Sequence, residues 1–76
     1  MDWKIGDILI DKEFQTIHEI LGSFNFYDNH QIIILTKVEK SLRHIEPSIH
    51  ENLLDYFYRK ATDRETFLFY IGVREL

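Results

Sequence analysis

The absence of cysteine from a chain of only 76 residues is the strongest constraint on its fold. A domain of this size buries only about 60% of the surface that its unfolded chain exposes, so many such domains depend on disulfides or bound metals. Without cysteine, neither a disulfide framework nor a thiolate metal site can form. The chain is instead rich in large apolar side chains, with six Phe, four Tyr and one Trp. We therefore expect a single domain over residues 1–76, with homodimerisation as a second source of stability.

The clearest single element of the sequence is a helix at about residues 47–61. Pro47 suits the first turn of a helix, and Ser48 with Glu51 has the spacing of a capping box. The apolar residues that follow recur at helical spacing and form one stripe: Ile49, Leu53, Leu54, Phe57 and Ala61. The pattern therefore predicts one helix that packs a single apolar face against the core.

Three consecutive aromatic residues in this helix, Tyr56, Phe57 and Tyr58, cannot all face the core, because successive helical residues turn by about 100°. Phe57 continues the apolar stripe and is assigned to the core. Tyr56 is then expected at the rim and Tyr58 further from the core, as the better exposed of the two. Because tyrosine is enriched at binding hot spots, we predict that both tyrosines contact a partner.

The remaining elements are predicted to be strands. Residues 31–38 are mostly β-branched and apolar, and residues 23–27 can pair with them across a turn at Asp28 and Asn29. Further strands are predicted at residues 4–10, 41–45 and 66–75. The last of these carries apolar side chains on both faces in its first half, which is typical of an interior strand.

Residues 11–22 fit two different structures. As a helix capped by Asp11, they complete the order β-α-β-β-α-β of a ferredoxin-like fold. As a loop followed by a strand, they give a small, mainly antiparallel sheet with one helix before the last strand. The segments Ile5–Leu9 and Ile17–Gly22 resemble the opening strands of small SH3-like barrels, which implies this second arrangement. We favour it over the first, and both belong to the α+β class.

Residue types that catalysis and metal binding require are sparse. The three serines lie outside any Gly-x-Ser-x-Gly elbow, and the three glycines are isolated, so no phosphate-binding loop is present. The four histidines lack the spacing of a metal site: His18, His30, His44 and His50. His18 could serve a hydrolase or nuclease as a general base only if a pocket formed around it. We therefore predict no catalytic residue, no metal ligand and no cofactor.

The charge of the chain favours a protein partner over nucleic acid. The formal net charge is −4, and a negative field repels phosphates rather than recruiting them. A basic protein surface is the more natural partner. The longest run of aliphatic residues is Ile32 to Leu35, far below a membrane span, and the first residues lack a secretory signal. Together with the absence of cysteine, this predicts a cytoplasmic protein without membrane contact.

Small acidic domains without cysteine or catalytic groups resemble, as a class, the inhibitors that phages and mobile elements encode, including anti-CRISPR proteins. The resemblance implies a non-enzymatic module that binds a partner protein and occludes its basic, nucleic-acid-binding surface. We predict six contact residues, four from an acidic N-terminal face and two from the helix: Asp7, Asp11, Glu13, Glu19, Tyr56 and Tyr58. The alternative is a homodimeric structural or regulatory accessory subunit.

Overall fold

The computed structural model describes residues 3–26, 30–39, 42–46 and 49–76. In this part of the chain, six strands and two helices follow in the order β1 (Ile8–Asp11), β2 (Ile17–Phe26), β3 (His30–Glu39), β4 (Leu42–Ile45), β5 (Ile49–His50), α1 (Glu51–Phe57), β6 (Tyr58–Lys60) and α2 (Asp63–Tyr70). Every strand pair is antiparallel. The predicted α+β class with a mainly antiparallel sheet is therefore confirmed.

The β2–β3 hairpin forms the centre of the sheet. β1 pairs with the free edge of β2, and β6 returns to pair with β1, which gives the order β4-β3-β2-β1-β6. β4 and β5 both pair with the outer edge of β3, β4 at residues 36–39 and β5 at residues 32–33. The helix α1 lies before the last strand, β6, although β6 occupies residues that the sequence assigns to the helix. Because no helix separates β1 from β2, the ferredoxin-like order is excluded.

The two helices cover opposite faces of the sheet. Successive residues of a strand point to opposite faces, whereas directly paired residues share one. One face packs against Leu54 of α1 in a fully buried cluster of Leu9, Ile20, Ile33, Leu35 and Leu54. The other face packs against Phe69 of α2 in a second cluster of Ile8, Ile10, Ile17 and Phe69. The core is therefore split into two layers by the sheet.

Most strand predictions are confirmed with shifted ends, since β3 contains residues 31–38 and β2 contains residues 23–26. The turn predicted at Asp28 and Asn29 lies outside the described residues. Residues 11–22 adopt the loop and strand of the second alternative, with β2 beginning at Ile17. The sequence therefore predicts the central hairpin well.

The helix predicted at residues 47–61 is too long at both of its described ends, because the observed helix α1 spans only Glu51–Phe57 and leaves out Ile49 and His50. α1 begins at Glu51, and His50 is its N-cap, with Nδ1 accepting a hydrogen bond from the Asn52 N–H at 3.2 Å. The predicted start at Pro47 and Ser48 lies outside the described residues. Both flanking segments are strands instead, because each finds a ladder partner distant in sequence, β5 on β3 and β6 on β1. Such tertiary pairing overrides helix propensity.

The strand predicted at residues 66–75 is wrong, because α2 occupies its first half. A capping box starts this helix: Thr62 Oγ1 accepts from the Glu65 N–H at 3.2 Å, and the Glu65 carboxylate accepts from the Thr62 N–H at 2.9 Å. Gly72 ends it with a φ of 100°, a conformation that favours glycine. Of the apolar residues whose alternation suggested a strand, α2 buries only Phe69.

A bidentate ion pair joins α2 to β6 and makes stability depend on pH on the acid side. Nη1 and Nη2 of the Arg59 guanidinium each donate to one oxygen of the Glu65 carboxylate at 2.7 Å. This pair, followed by the hydrogen bond from the Thr62 backbone, lowers the pKa of Glu65 from 4.5 to about 2. Because the folded-state pKa is depressed, its stabilising contribution is complete above pH 4.5 and is lost as the pH falls towards 2.

We expect Glu65→Gln to make the free energy of unfolding less dependent on pH over this acid window. Glutamine keeps the capping-box geometry, so the variant removes the charge while retaining the cap. Urea unfolding of both proteins between pH 4.5 and about 2 measures the difference. Equal slopes for the two proteins would show that the Arg59–Glu65 pair does not contribute.

Candidate functional site

An open groove of about 590 Å³ lies between α1 and the loop that joins β1 to β2. Three of the aromatic rings that line it are exposed: Phe14 by 68%, Tyr56 by 74% and Phe57 by 44%. Two carboxylates, those of Asp11 and Glu13, belong to the same lining. The groove therefore combines exposed aromatic surface with negative charge.

The loop wall of the groove is held by Asp11. Its Oδ1 accepts hydrogen bonds from the N–H groups of Glu13 and Phe14 at 2.8 and 2.9 Å, the side-chain turn that aspartate commonly forms. Gln15 closes the loop in the left-handed conformation, with a φ of 59°, and donates its N–H to the Asp11 carbonyl at 2.9 Å. Loop geometry, rather than hydrophobic packing, thus presents Phe14 to solvent.

The helical wall of the groove is fixed by one buried side chain of α1 and by hydrogen bonds to the loop. Leu54 is buried in the core, and Tyr56 and Phe57 follow it on the outer side of α1, with ring centroids 4.8 Å apart in an edge-to-face arrangement. The Lys12 N–H donates to the Phe57 carbonyl at 2.9 Å, and Lys12 Nζ donates to the Asp55 carbonyl. These bonds join the two walls, so the groove is formed before any ligand arrives.

Tyr58 lies in the floor of the groove and is half-buried. Its ring packs against the core and meets the His18 ring edge-on, with centroids 5.3 Å apart. Burial, followed by the negative charges of Glu46 and Asp11, raises the pKa of Tyr58 to about 12. Burial and the two nearby carboxylates therefore both disfavour ionisation of the Tyr58 hydroxyl.

Two expectations about the aromatic triplet are wrong. Phe57 is exposed rather than in the core, and Tyr58 is half-buried rather than the better exposed tyrosine. Because α1 ends at Phe57, Tyr58 begins β6 and no longer follows helical spacing. Tyr56 lies at the surface, as expected, and is more exposed than Phe57 or Tyr58.

The raised pKa of Tyr58 predicts a loss of stability at alkaline pH. Because the folded-state pKa is above the ordinary value of 10.0, this loss begins near pH 10.0 and is complete only above about pH 12. We expect Tyr58→Phe to lose less stability than the natural chain over this interval, as measured by urea unfolding. The control, Tyr56→Phe, retains Tyr58 and should behave like the natural chain; identical curves for all three proteins would contradict the assignment.

The structure brings together four of the six predicted contact residues, since Asp11, Glu13, Tyr56 and Tyr58 all line the groove. Asp7 and Glu19 are not among its lining residues. Asp7 Oδ2 instead accepts from the Lys4 N–H at 2.9 Å and lies 3.6 Å from Lys60 Nζ. Glu19 lies within β2, paired across the ladders with Ile8 and Thr36. The predicted acidic N-terminal face is therefore divided.

His18 belongs to a buried polar network beneath the groove. Its side chain contacts Glu46 Oε1 through Nδ1, and Nε2 lies 2.6 Å from Thr16 Oγ1. This order of hydroxyl, imidazole and carboxylate resembles an activated nucleophile, a base and the group that orients it. However, His18 is only 3% exposed, so a substrate cannot reach the imidazole in this conformation. The network satisfies buried polar groups and supports Tyr58 from below.

No family model, curated protein or solved structure matches this chain. Within residues 3–26, 30–39, 42–46 and 49–76, we find no helix with the length and apolar character that crossing a membrane requires. Across the same ranges, no cluster of three or more His, Asp or Glu side chains has the arrangement of a metal site.

Proposed function

We propose that this protein is a non-enzymatic binding module that acts in the cytoplasm by docking on a basic surface of a partner protein and occluding it. The observation that carries the proposal is the preformed groove, in which Phe14, Tyr56 and Phe57 are exposed beside Asp11 and Glu13. An inhibitor of the phage or anti-CRISPR type is one protein of this kind, with a nucleic-acid-binding surface as its target.

The chemistry of the groove favours a protein as the ligand. Aromatic rings bury about 150–250 Å² each, and tyrosine is enriched among the residues that dominate binding energy. The net charge of −4 attracts a basic surface from a distance and repels the phosphates of nucleic acid. Aromatic anchors with a negative rim therefore suit a partner whose basic residues surround apolar side chains.

Affinity capture from a lysate of the natural host, with a matched pair of variants, tests this proposal. Phe14→Ala/Tyr56→Ala truncates the two most exposed rings of the groove. The control, Phe67→Ala/Tyr70→Ala, truncates the same residue types on α2, where Phe67 and Tyr70 are also exposed. We expect one basic protein to be retained by the natural chain and the control, but lost from the groove variant, and we expect high salt to release it.

The affinity of each variant for the purified partner is then measured. Hot-spot truncations typically cost at least 2 kcal/mol, so the groove variant should bind at least about 30-fold more weakly than the control. Equal binding by both variants, or a partner whose affinity does not fall with salt, would contradict docking through the groove.

A homodimeric accessory subunit is a second candidate, favoured by two exposed apolar side chains on the sheet, Phe24 and Ile45. α2 covers one sheet face over β1, but the same face continues beyond it. There Phe24 pairs with Ile32, Gly22 with Ile34, and Ile45 of β4 with Thr36. The side chains of Phe24 and Ile45 are exposed. Light scattering tests this candidate: a dimer that Ile45→Glu dissociates would support it, and a strict monomer at tens of micromolar would exclude it.

A further inference from the structure

We propose that the groove recognises an arginine side chain of the partner, with the guanidinium stacked on the exposed aromatic rings and paired with the carboxylates of Asp11 and Glu13. This inference rests on the proposed docking function and names the chemical group that the groove takes. It concerns only those residues of the groove lining that the structure describes.

The exposed rings provide one half of the recognition. Phe14 and Tyr56 come from opposite walls, and Phe57 extends the aromatic surface of α1. A cation over the face of an aromatic ring is attracted by the ring quadrupole, and arginine makes such contacts more often than lysine. Its flat, weakly hydrated guanidinium can also stack on a ring, whereas an ammonium group cannot. The groove therefore fits arginine better than lysine.

The carboxylates provide the other half. Both backbone N–H groups that hold the loop bond to Asp11 Oδ1, so Oδ2 keeps its capacity to accept. Glu13 is exposed, and no hydrogen bond or ion pair joins its carboxylate to another described residue. Guanidinium–carboxylate pairs are charge-assisted and can be bidentate, which adds directional specificity to the stacking.

Among the described residues of the lining, Lys12 is the one cationic side chain, and it does not neutralise this arrangement. Its Nζ donates to the Asp55 carbonyl in α1, which directs the ammonium group towards the helix backbone. Even with Lys12 counted, the described part of the lining carries more negative than positive charge, with Asp11 and Glu13 against one lysine. A guanidinium therefore meets acceptors in the groove, and the existing cation is held by a backbone oxygen.

An NMR titration with short peptides tests the inference without knowledge of the partner. The probe is the blocked tripeptide Gly-Arg-Gly, compared with the same peptide containing lysine or citrulline, a neutral group with the shape of arginine. We expect the arginine peptide to shift the ring resonances of Phe14 and Tyr56 with a dissociation constant on the order of 1 mM. The lysine peptide should bind more weakly than the arginine peptide. The citrulline peptide should bind more weakly than the arginine peptide by a factor of about five or more.

A pair of substitutions that each remove one negative charge separates the contribution of charge from that of loop geometry. Asp11→Asn keeps an Oδ1 acceptor for the loop and removes the charge, and Glu13→Gln does the same for the second carboxylate. We expect the double variant to bind the arginine peptide about three- to tenfold more weakly, with its spectrum otherwise unchanged. The control is Asp63→Asn, because Asp63 is exposed at the start of α2 and outside the groove; it should bind like the natural chain.

The possible outcomes distinguish this inference from the proposed function. Equal shifts with arginine and citrulline peptides, or shifts confined to residues outside the groove, would overturn arginine recognition. If partner capture still depended on Phe14 and Tyr56, the docking function would stand. If instead the arginine peptide bound as expected but the groove variant captured the partner normally, arginine recognition would stand and the docking function would fail.

Discussion

Phe69→Ala is expected to lower the free energy of unfolding by about 3–5 kcal/mol, as truncation of a buried phenylalanine typically does. Phe69 is only 8% exposed and packs against Ile8, Ile10 and Ile17. It is the one residue that α2 buries, so its ring is the main attachment of that helix to the sheet. Urea unfolding, followed by the fluorescence of Trp3, measures the change.

Phe67→Ala is the matched control, because Phe67 is 61% exposed on the same helix. We expect it to change the free energy of unfolding by no more than about 0.5 kcal/mol. The comparison also discriminates between two structures. In a strand, residues 67 and 69 would share a face, whereas in a helix they lie about 200° apart. Similar large losses from both variants would favour the strand and contradict α2.

Leu54→Ala is expected to cost about 2–5 kcal/mol, since it removes most of a fully buried side chain and leaves a cavity. Leu54 is 1% exposed and is the only buried residue of α1. It joins the helix to a cluster that draws on three strands, with Leu9, Ile20 and Ile33 among its members. Loss of this anchor should therefore loosen the helical wall of the groove as well as the core.

Leu53→Ala provides the control for Leu54, because Leu53 precedes it in α1 and is 46% exposed. Alanine has the higher helix propensity, so we expect a change within about 0.5 kcal/mol. Urea unfolding of both variants measures the difference. If Leu53→Ala were the more destabilising of the two, α1 would have to present its other side to the core, and Tyr56 and Phe57 would no longer line the groove.

The elements that depend on local pattern could be predicted from the sequence, and those that depend on distant partners could not. The β-branched run in β3 indicates a strand wherever it packs. By contrast, Ile49 and His50 continue a helical pattern and become a strand only because β3 offers them a ladder. The same holds for Arg59 and Lys60, which pair with β1.

The C-terminal error has a different cause. Apolar residues in nearly every position of residues 67–73 fit both a strand and a helix, so periodicity alone cannot decide. A decisive signal was present just upstream, because Thr62 and Glu65 have the spacing of a capping box. The box specifies a helix start through local hydrogen bonds, independent of the apolar pattern.

The candidate site could be predicted in part. Asp11, Glu13 and Tyr56 are found from charge and residue type, and all three line the groove. Phe14 is missed because its exposure follows from the hydrogen bonds that Asp11 makes to the loop backbone. The available signal was a single aromatic residue within an otherwise polar loop, a position where no core demands it.

Site-specific photo-crosslinking in cells that make both this protein and its partner tests whether the groove contacts the partner. A benzoylphenylalanine probe replaces Phe14 in one variant and Phe67 in another, so that the groove and α2 carry the same reactive group on equally exposed positions. We predict a covalent adduct with one basic protein from position 14 and none from position 67. An adduct from position 67 alone, or none from position 14, would contradict docking through the groove.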